Sequence, residues 1–311
     1  MTTLAVVRPD HRAVQDIVAL KSRHTPIVMV TAYDYSSARA AEASSVDMVL
    51  VGDSAATTML GLASTREVTL DEMLMITRAV RRGLVHPLLI GDMPFGTYEA
   101  SNALAVDTAK RFVEAGCNAV KMEGAGRIAD RVEAVVAAGI PVMGHVGLTP
   151  QQLRAGEAAR VAGRTADAAL RVLDESLQLQ EAGCFALVFE AIPAVVATRL
   201  MELIAIPVIG IGAGNGTDGQ VLVAYDLFGL TDGKIPRFVK QYADLKQQMV
   251  RAFSHFAEDV RQHRFPANAH TYGGVADAEL AALERGLPSV LAKYGYEGAR
   301  VGVRSCPQNN S

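Results

Sequence analysis

Val49-Leu-Val-Gly-Asp53 is one of four largely apolar runs that end in a carboxylate; the others are Leu88-Leu-Ile-Gly-Asp92, Ala119-Val-Lys-Met-Glu123 and Ala186-Leu-Val-Phe-Glu190. A buried parallel strand reads as a continuous apolar run, and its interior does not tolerate charge. Its carboxyl end does, because that is where α/β folds bind ligands. Four acids at four strand ends therefore predict one negatively charged site, and such a site favours a metal ion.

Strand-like runs recur along the chain at the spacing of βα units. We expect strands near residues 27–32, 48–52, 88–91, 119–122, 141–144, 185–189, 207–211 and 220–225. Amphipathic helices are expected between them, the clearest at residues 69–82, 102–115, 127–138 and 165–182. The repeated Glu-Ala-Gly-Cys at 114–117 and 181–184 predicts a helix that ends at a left-handed glycine before a strand. About eight such units predict an α/β fold of the (β/α)8 TIM barrel class, with an open doubly wound sheet as the alternative.

The predicted barrel, a single catalytic domain, extends over residues 15–274. From residue 237 the pattern becomes helical, with one long amphipathic helix or two up to residue 263. Residues 276–293 predict a further helix that Gly286 and Pro288 interrupt. We therefore expect a C-terminal helical extension and tail at residues 275–311.

Composition excludes several classes of protein. Half of the 311 residues are hydrophobic, the formal net charge is −3, and no basic stripe indicates a nucleic-acid partner. No apolar run approaches the ~18 residues of a membrane span, and the first residues lack the pattern of a signal peptide. The three cysteines form no C-x-x-C pair, and two of them lie in apolar surroundings typical of buried thiols in a reducing compartment. These features predict a soluble cytoplasmic protein without membrane contact.

Asp53 and Asp92 each follow a glycine that allows the chain to turn sharply at the strand end. With Glu123 one strand further along, they predict a half-shell of hard oxygen ligands, which Mg²⁺ prefers. A single acid at such a position is as easily a helix cap or a member of a surface ion pair. The occurrence of four in series favours the metal site.

Other polar residues accompany these acids. Lys121 shares a strand face with Glu123, so it either binds a substrate carboxylate or oxyanion, or pairs with Glu123. His145 ends the fifth strand and is a candidate hydrogen-bond donor to substrate, a metal ligand or a structural histidine. Glu190 has apolar neighbours, which suits a proton-abstracting base, with a metal ligand or a rim residue as alternatives. Ser54 follows the first acid directly and is a candidate for binding an anion.

Seven collinear segments between about residues 15 and 273 carry a family resemblance. They are Thr31-Ala-Tyr-Asp-Tyr-Ser36, Val51-Gly-Asp-Ser54, Asp92-Met-Pro-Phe95, Val120-Lys-Met-Glu-Gly124, Gly144-His-Val-Gly-Leu-Thr-Pro-Gln151, Leu187-Val-Phe-Glu190 and Ile206-Pro-Val-Ile-Gly-Ile-Gly-Ala-Gly-Asn-Gly-Thr-Asp-Gly-Gln220. Together they resemble the ketopantoate hydroxymethyltransferases (3-methyl-2-oxobutanoate hydroxymethyltransferases) of the phosphoenolpyruvate/pyruvate barrel superfamily.

The resemblance implies a metal-dependent one-carbon transferase of pantothenate biosynthesis. Members of that family transfer a hydroxymethyl group from 5,10-methylenetetrahydrofolate to 3-methyl-2-oxobutanoate through a Mg²⁺-stabilised enolate, giving 2-dehydropantoate. They form a homodecamer of two pentameric rings. At the matching positions of this chain, the resemblance implies three metal ligands, Asp53, Asp92 and Glu123. It implies a substrate-binding set of Asp53, Ser54, Asp92, Lys121 and His145. It also implies Glu190 as the catalytic proton acceptor.

Two other functions remain open. The chain departs from the family pattern at residues 61–65, 157–159 and 268–269, in loops where the specificity of a pocket is usually set. A Mg²⁺-dependent lyase or aldolase of the same superfamily that acts on another 2-oxo acid is therefore an alternative. A non-catalytic paralogue that binds a metabolite is the third possibility, and the presence of all four strand-end acids counts against it.

Overall fold

The computed structural model describes residues 12–153, 160–233 and 235–296. Residues 1–11, the loop difference at 157–159 and the third cysteine, Cys306, lie outside these ranges. The strands of the described residues are β1 (Ile27–Thr31), β2 (Met48–Val51), β3 (Leu88–Asp92), β4 (Ala119–Glu123), β5 (Val142–Gly147), β6 (Ala186–Glu190), β7 (Val208–Ile211) and β8 (Gly219–Leu222). The α-helices are α1 (Val14–Ser22), α2 (Tyr35–Glu42), α3 (Ala55–Thr58), α4 (Leu70–Gly83), α5 (Asn102–Glu114), α6 (Arg127–Ala137), α7 (Ala166–Glu181), α8 (Ala194–Met201), α9 (Ala224–Leu227), α10 (Leu245–Arg261) and α11 (Asp277–Ala292).

The strands form one closed sheet. Each strand pairs in parallel with the next along the chain, and β8 pairs with β1. The fold is therefore a (β/α)8 barrel, which confirms the predicted fold class, and the alternative of an open sheet is wrong. A parallel barrel brings all its carboxyl ends to one face, so the side chains that follow the strands are gathered there.

Side chains alternate along the strands between two separate cores. In β2, Met48 and Leu50 belong to the cluster that fills the barrel, whereas Val49 and Val51 belong to the larger cluster that includes helix residues. In β3, Leu88 and Ile90 belong to the cluster that fills the barrel, and Asp92, the last residue of the strand, follows them on the same face. The acids at the strand ends therefore continue the lines of side chains that fill the barrel.

Local signals account for the helix ends. Thr69 precedes α4 and forms a capping box with Glu72: its hydroxyl accepts from the Glu72 N–H (3.3 Å) and its own N–H donates to the Glu72 carboxylate (2.8 Å). Gly116 and Gly183 have φ values of 106° and 94°, which confirms the predicted left-handed ends of α5 and α7. These glycines turn the chain back towards β4 and β6.

Several elements differ from the sequence prediction, among them α10, which begins at Leu245 rather than near residue 237. Strand β8 ends at Leu222 rather than near residue 225, because the chain turns into α9, whose Ala224 N–H donates to the Thr31 hydroxyl (2.8 Å). Helix α11 runs through Gly286 and Pro288 without the expected interruption. A proline removes one N–H donor from a helix, which weakens it without always ending it.

The chain divides into two compact units, residues 1–248 and 249–311. The first unit contains the whole barrel, and the second contains α11 and most of α10. The division falls within α10, whereas the expected end of the catalytic domain at residue 274 remains a prediction. Within the described ranges, no helix has both the length and the apolar character needed to cross a membrane.

Replacement of Gly91 by alanine is expected to destabilise the barrel by about 1–3 kcal/mol, the usual cost of overpacking a core. A Cβ at this position would lie 2.8 Å from the Cys117 Sγ and 2.9 Å from the Phe112 Cε1, well inside van der Waals contact. Urea unfolding measures the change. Gly286→Ala is the control, because an added Cβ would have no atom within 4 Å other than those of its chain neighbours and its own helix backbone. Equal stabilities of the two variants would contradict the prediction.

Candidate active site

A pocket of about 210 Å³ opens at the carboxyl ends of the strands. All the site residues proposed from the sequence line it: Asp53, Ser54, Asp92, Lys121, Glu123, His145 and Glu190. The barrel thus brings together side chains from β3, β4, β5 and β6 and from the turn after β2. Apart from Ser54 and Glu190, each of them is buried.

The register of the barrel explains which charges meet. Asp92 of β3 is paired with Lys121 of β4, and Glu123 of β4 is paired with His145 of β5. Paired residues on neighbouring strands face the same side of a sheet, so each of these side chains has an opposite charge beside it. Glu190 ends β6 next to the carboxyl end of β5, within reach of the same histidine.

Lys121 forms a buried ion pair with Asp92. Its Nζ lies 2.8 Å from both carboxylate oxygens. Burial alone would lower the pKa of Lys121, but the nearby carboxylates, Asp92 foremost, raise it above its ordinary value. Lys121 and Glu123 share the pocket as their spacing predicts, yet the ion-pair partner of the lysine is Asp92 rather than Glu123. The strand register, which sequence spacing does not reveal, decides this.

Asp53 lies directly against Asp92. Its backbone N–H donates to the Asp92 Oδ2 (3.1 Å), and its own Oδ2 accepts from the Gln151 amide (3.0 Å). Burial and the Asp92 carboxylate raise the pKa of Asp53 to about 8, although Lys121 and Gln151 act in the opposite direction. The charged forms of these two buried acids are therefore favoured together only when a cation accompanies them.

His145 lies between two carboxylates. Its Nδ1 is 3.2 Å from the Glu123 Oε2 and its Nε2 is 3.2 Å from the Glu190 Oε2. Burial and Lys121 would lower the pKa of His145, but the two glutamates raise it to about 9, so the ring is protonated at neutral pH. Within the part of the chain that the structure describes, neither ring nitrogen makes a well-directed hydrogen bond, so both contacts are electrostatic.

Glu190 and Ser54 are more accessible than the other site residues. The Glu190 side chain is 19% exposed at the end of β6, where Phe189 and Ile192 on either side of it in the chain are buried. The Ser54 hydroxyl lies 2.8 Å from that of Tyr33, which is fully buried. Both polar groups are therefore accessible to a substrate that enters the pocket.

The acids fit a divalent cation by charge. The pocket is lined by two basic side chains, Lys121 and His145, and by five carboxylates, so acidic groups predominate: Asp53, Asp92, Glu123, Glu190 and Asp226. Asp53 and Asp92 are adjacent, and Mg²⁺ is commonly held by one or two carboxylates, with water and substrate as its other ligands. The residues present therefore fit Mg²⁺.

Glu123, the predicted third metal ligand, has other partners in the structure. Among residues 12–153, 160–233 and 235–296, no three His, Cys, Asp or Glu side chains form a group that could hold a metal ion. The Glu123 Oε1 accepts from the Gln151 backbone N–H (2.8 Å), and its Oε2 faces His145. The assignment of Asp53, Asp92 and Glu123 as metal ligands therefore stays a prediction.

Several residues at the pocket or next to its acids have no role predicted from the sequence. Gln151 and Tyr98 contact the acids, and Asp226 and Phe238 line the pocket. Gln151 is the last residue of a segment that carries the family resemblance. That position is the sequence signal from which a role for Gln151 could have been predicted. Of the three loops that depart from the family pattern, the one at 61–65 reaches the pocket through Thr65.

Comparison with known proteins identifies relatives of this chain. The sequence profile of the ketopantoate hydroxymethyltransferase family matches residues 11–268. A 3-methyl-2-oxobutanoate hydroxymethyltransferase of Nitratidesulfovibrio vulgaris strain DP4 is 50% identical over 283 residues, which cover 90% of this chain and 91% of the relative. The enzyme of that name from Geobacillus kaustophilus strain HTA426 is 45% identical, with coverage of 84% and 94%. A solved phosphonopyruvate hydrolase, 14% identical, covers 90% of this chain and 98% of its own with a TM-score of 0.56, and so shares the fold alone.

Proposed function

The chain belongs to the ketopantoate hydroxymethyltransferase family of enzymes, and we propose that it transfers a hydroxymethyl group from 5,10-methylenetetrahydrofolate to 3-methyl-2-oxobutanoate, giving 2-dehydropantoate. This is a step of pantothenate biosynthesis. The proposal includes Mg²⁺ as the metal and, from the family resemblance, a homodecameric assembly. Relatives named 3-methyl-2-oxobutanoate hydroxymethyltransferase, at 42–50% identity, support the reaction.

The observation that carries the proposal is the distribution of charge across the pocket. Asp53 and Asp92 lie at the ends of β2 and β3, and Glu190 lies at the end of β6, across the closed barrel from β2. A 2-oxo acid whose oxygens face the first pair would point its C3 carbon away from them. Glu190 is then the carboxylate on the side where C3 must lose a proton.

Asp53 and Asp92 are the residues that would hold Mg²⁺, with Glu123 as the predicted third ligand. When bound, Mg²⁺ supplies Lewis acidity that draws electrons from the keto group of the substrate and makes its C3 proton more acidic. Lys121 and Ser54 are placed to donate hydrogen bonds to the substrate carboxylate. Lys121 shares its ammonium between that carboxylate and Asp92, which keeps the substrate oriented.

Glu190 acts as the general base and removes the C3 proton. His145, protonated between Glu123 and Glu190, holds the Glu190 carboxylate by charge at the edge of the pocket. The electron pair left on the substrate forms the new bond from C3 to the methylene carbon of the folate. The bonds from that carbon to the folate nitrogens break, water supplies the hydroxyl oxygen, and the nitrogens regain their protons.

The test is product formation by the purified chain with 3-methyl-2-oxobutanoate, 5,10-methylenetetrahydrofolate and Mg²⁺. We expect 2-dehydropantoate and tetrahydrofolate in equal amounts, and no product when EDTA removes the metal. Exchange of the C3 proton for deuterium without any folate-dependent product would favour a lyase or aldolase acting on another 2-oxo acid. Neither exchange nor product, in a protein that still binds the keto acid, would favour a non-catalytic paralogue.

Replacement of Asp53 by asparagine is expected to weaken the binding of Mg²⁺ or Mn²⁺ by about 100-fold or more. Even the outer partners of metal ligands contribute ~10–100-fold to affinity, so loss of a ligand charge should exceed that range. We expect the variant to stay folded, since asparagine keeps the size of the side chain and an acceptor for Gln151. Electron paramagnetic resonance of free Mn²⁺ measures the affinity.

Asp107→Asn is the matched control, because Asp107 is an exposed acid on α5. The control should bind Mn²⁺ as the parent protein does. Equal affinity of the Asp53→Asn variant and the control would contradict the assignment of Asp53 as a metal ligand.

A further inference from the structure

Gln151 is a buried polar residue for which the proposed reaction has no role yet. It lies in a short 3-10 helix, Pro150–Gln152, that follows β5, and it is 1% exposed. Glutamine is seldom fully buried, and a buried amide is tolerated only when its donors and acceptor are all paired. The partners of Gln151 therefore show what holds it there and what it holds in turn.

Every polar group of the Gln151 side chain has a partner. Its Nε2 donates to the Asp53 Oδ2 (3.0 Å) and to the Met93 carbonyl oxygen (3.1 Å). Its Oε1 accepts from the Tyr98 hydroxyl (2.7 Å), and that hydroxyl accepts in turn from the Glu123 N–H (3.3 Å). A flipped amide would turn its oxygen towards two other acceptors, so this orientation is the one that the surroundings allow.

The backbone of Gln151 engages a second acid. Its N–H donates to the Glu123 Oε1 at 2.8 Å. One residue thus donates a hydrogen bond to each of the two carboxylates that flank Asp92 in the pocket, and these come from different parts of the barrel, the turn after β2 and the end of β4. Without such donors, repulsion among like charges would turn these carboxylates apart.

The lack of charge on Gln151 distinguishes it from Lys121. Lys121 balances Asp92 with a positive charge, which also repels a metal ion nearby. The amide of Gln151 orients Asp53 without adding charge, and it occupies only the Oδ2 oxygen of that carboxylate. Within the part of the chain that the structure covers, no hydrogen bond uses the Asp53 Oδ1, so this oxygen remains available to a ligand.

We propose that Gln151 is a positioning residue for metal binding: its side-chain amide, oriented by Tyr98, holds the Asp53 carboxylate by its Oδ2 and leaves the Oδ1 for a divalent cation. The inference rests on the proposed function, since it takes the metal site as given. It assigns Gln151 to binding of the cation rather than to the chemical step, because Gln151 is absent from the residues that line the pocket.

The experiment measures Mn²⁺ binding by electron paramagnetic resonance in the absence of substrate, for Gln151→Met and for Gln152→Met. Methionine has nearly the length and volume of glutamine but cannot donate to Asp53, and both variants keep the backbone N–H. Gln152 is the matched control, because it is exposed in the same 3-10 helix. We expect Gln151→Met to lower the affinity for Mn²⁺ by about 10–100-fold and Gln152→Met to leave it unchanged.

Two further measurements separate positioning from a general structural role. At saturating Mg²⁺, the kcat of Gln151→Met should stay within about threefold of the parent value, while the Mg²⁺ concentration for half-maximal activity rises with the loss of affinity. In an Asp53→Asn background, Gln151→Met should cause little further loss, because the partner that it orients has already lost its charge.

Several outcomes would overturn the inference. They are unchanged Mn²⁺ affinity in Gln151→Met, an equal loss in Gln152→Met, or full additivity with Asp53→Asn. If Gln151→Met does not fold, Tyr98→Phe decides: removal of the hydroxyl that orients the amide should lower Mn²⁺ affinity by about 3–10-fold, and unchanged affinity would overturn the proposal. Failure of the parent protein itself to bind Mn²⁺ would refute the metal site and this inference together, whereas an unaffected Gln151→Met in an active, metal-binding parent would refute the inference alone.

Discussion

Replacement of Glu190 by glutamine is expected to slow the exchange of the C3 proton of 3-methyl-2-oxobutanoate by at least about 100-fold, because a positioned general base contributes ~10²–10⁴-fold. Glutamine has the shape of glutamate but does not accept a proton at neutral pH. Glu190 lies across the barrel from Asp53 and Asp92, so Mn²⁺ affinity should stay within about threefold of the parent value. Nuclear magnetic resonance in D2O follows the disappearance of the C3 proton signal without any folate.

Glu202→Gln is the matched control for this experiment. Glu202 follows α8, its side chain is 63% exposed, and it contacts Arg199, whose side chain is 77% exposed. The control should exchange at the parent rate. Exchange at the parent rate in Glu190→Gln as well would show that another group removes the proton and would refute the assignment of Glu190 as the base.

Replacement of Asp92 by asparagine is expected to have the largest effect on stability. The variant leaves the Lys121 ammonium, 5% exposed, without the carboxylate that contacts its Nζ at 2.8 Å. Removal of one partner of a buried ion pair costs about 3–5 kcal/mol, because the other charge stays buried and uncompensated. Urea unfolding in the absence of metal measures the loss. Metal affinity should fall as well, since Asp92 is one of the two adjacent acids.

Two comparisons make this prediction specific. Asp71→Asn removes an exposed acid that pairs with Arg111, and a surface pair of this kind should change the free energy of unfolding by less than about 1 kcal/mol. Asp92→Asn combined with Lys121→Met removes both charges and should regain much of the lost stability. If Asp92→Asn alone were as stable as the parent protein, the buried ion pair would not hold the site together.

The strand-end acids show how far sequence patterns can lead. Each of the four acids singled out from the sequence follows or ends an apolar run, and these runs proved to be parallel strands of a closed barrel. All carboxyl ends of such strands lie on one face of the barrel. A residue that ends or follows a strand is therefore expected at the same site as the others. Asp53, Asp92, Glu123 and Glu190 could therefore be grouped without coordinates. Even the sharing of one face by Lys121 and Glu123 follows from the two-residue period of a strand.

The choice of partners within the site could not be predicted in this way. Lys121 was open to an ion pair with Glu123, but the register places Asp92 beside it, and a register depends on how neighbouring strands are shifted. Glu123 instead faces His145 and the Gln151 N–H, which separates it from the adjacent pair of acids. The assignment of all three carboxylates as metal ligands therefore stays a prediction from the sequence.

What the sequence by itself determined is the fold class, the face of the barrel that carries the site and the residues gathered there, because these depend on local period and on the direction of the strands. Only the tertiary structure decided that Lys121 pairs with Asp92, that His145 lies between two glutamates, and that Gln151 holds Asp53 and Glu123. The physical reason is that a hydrogen bond or an ion pair depends on distances of a few ångströms between side chains from distant segments. Such distances arise only when the barrel has closed.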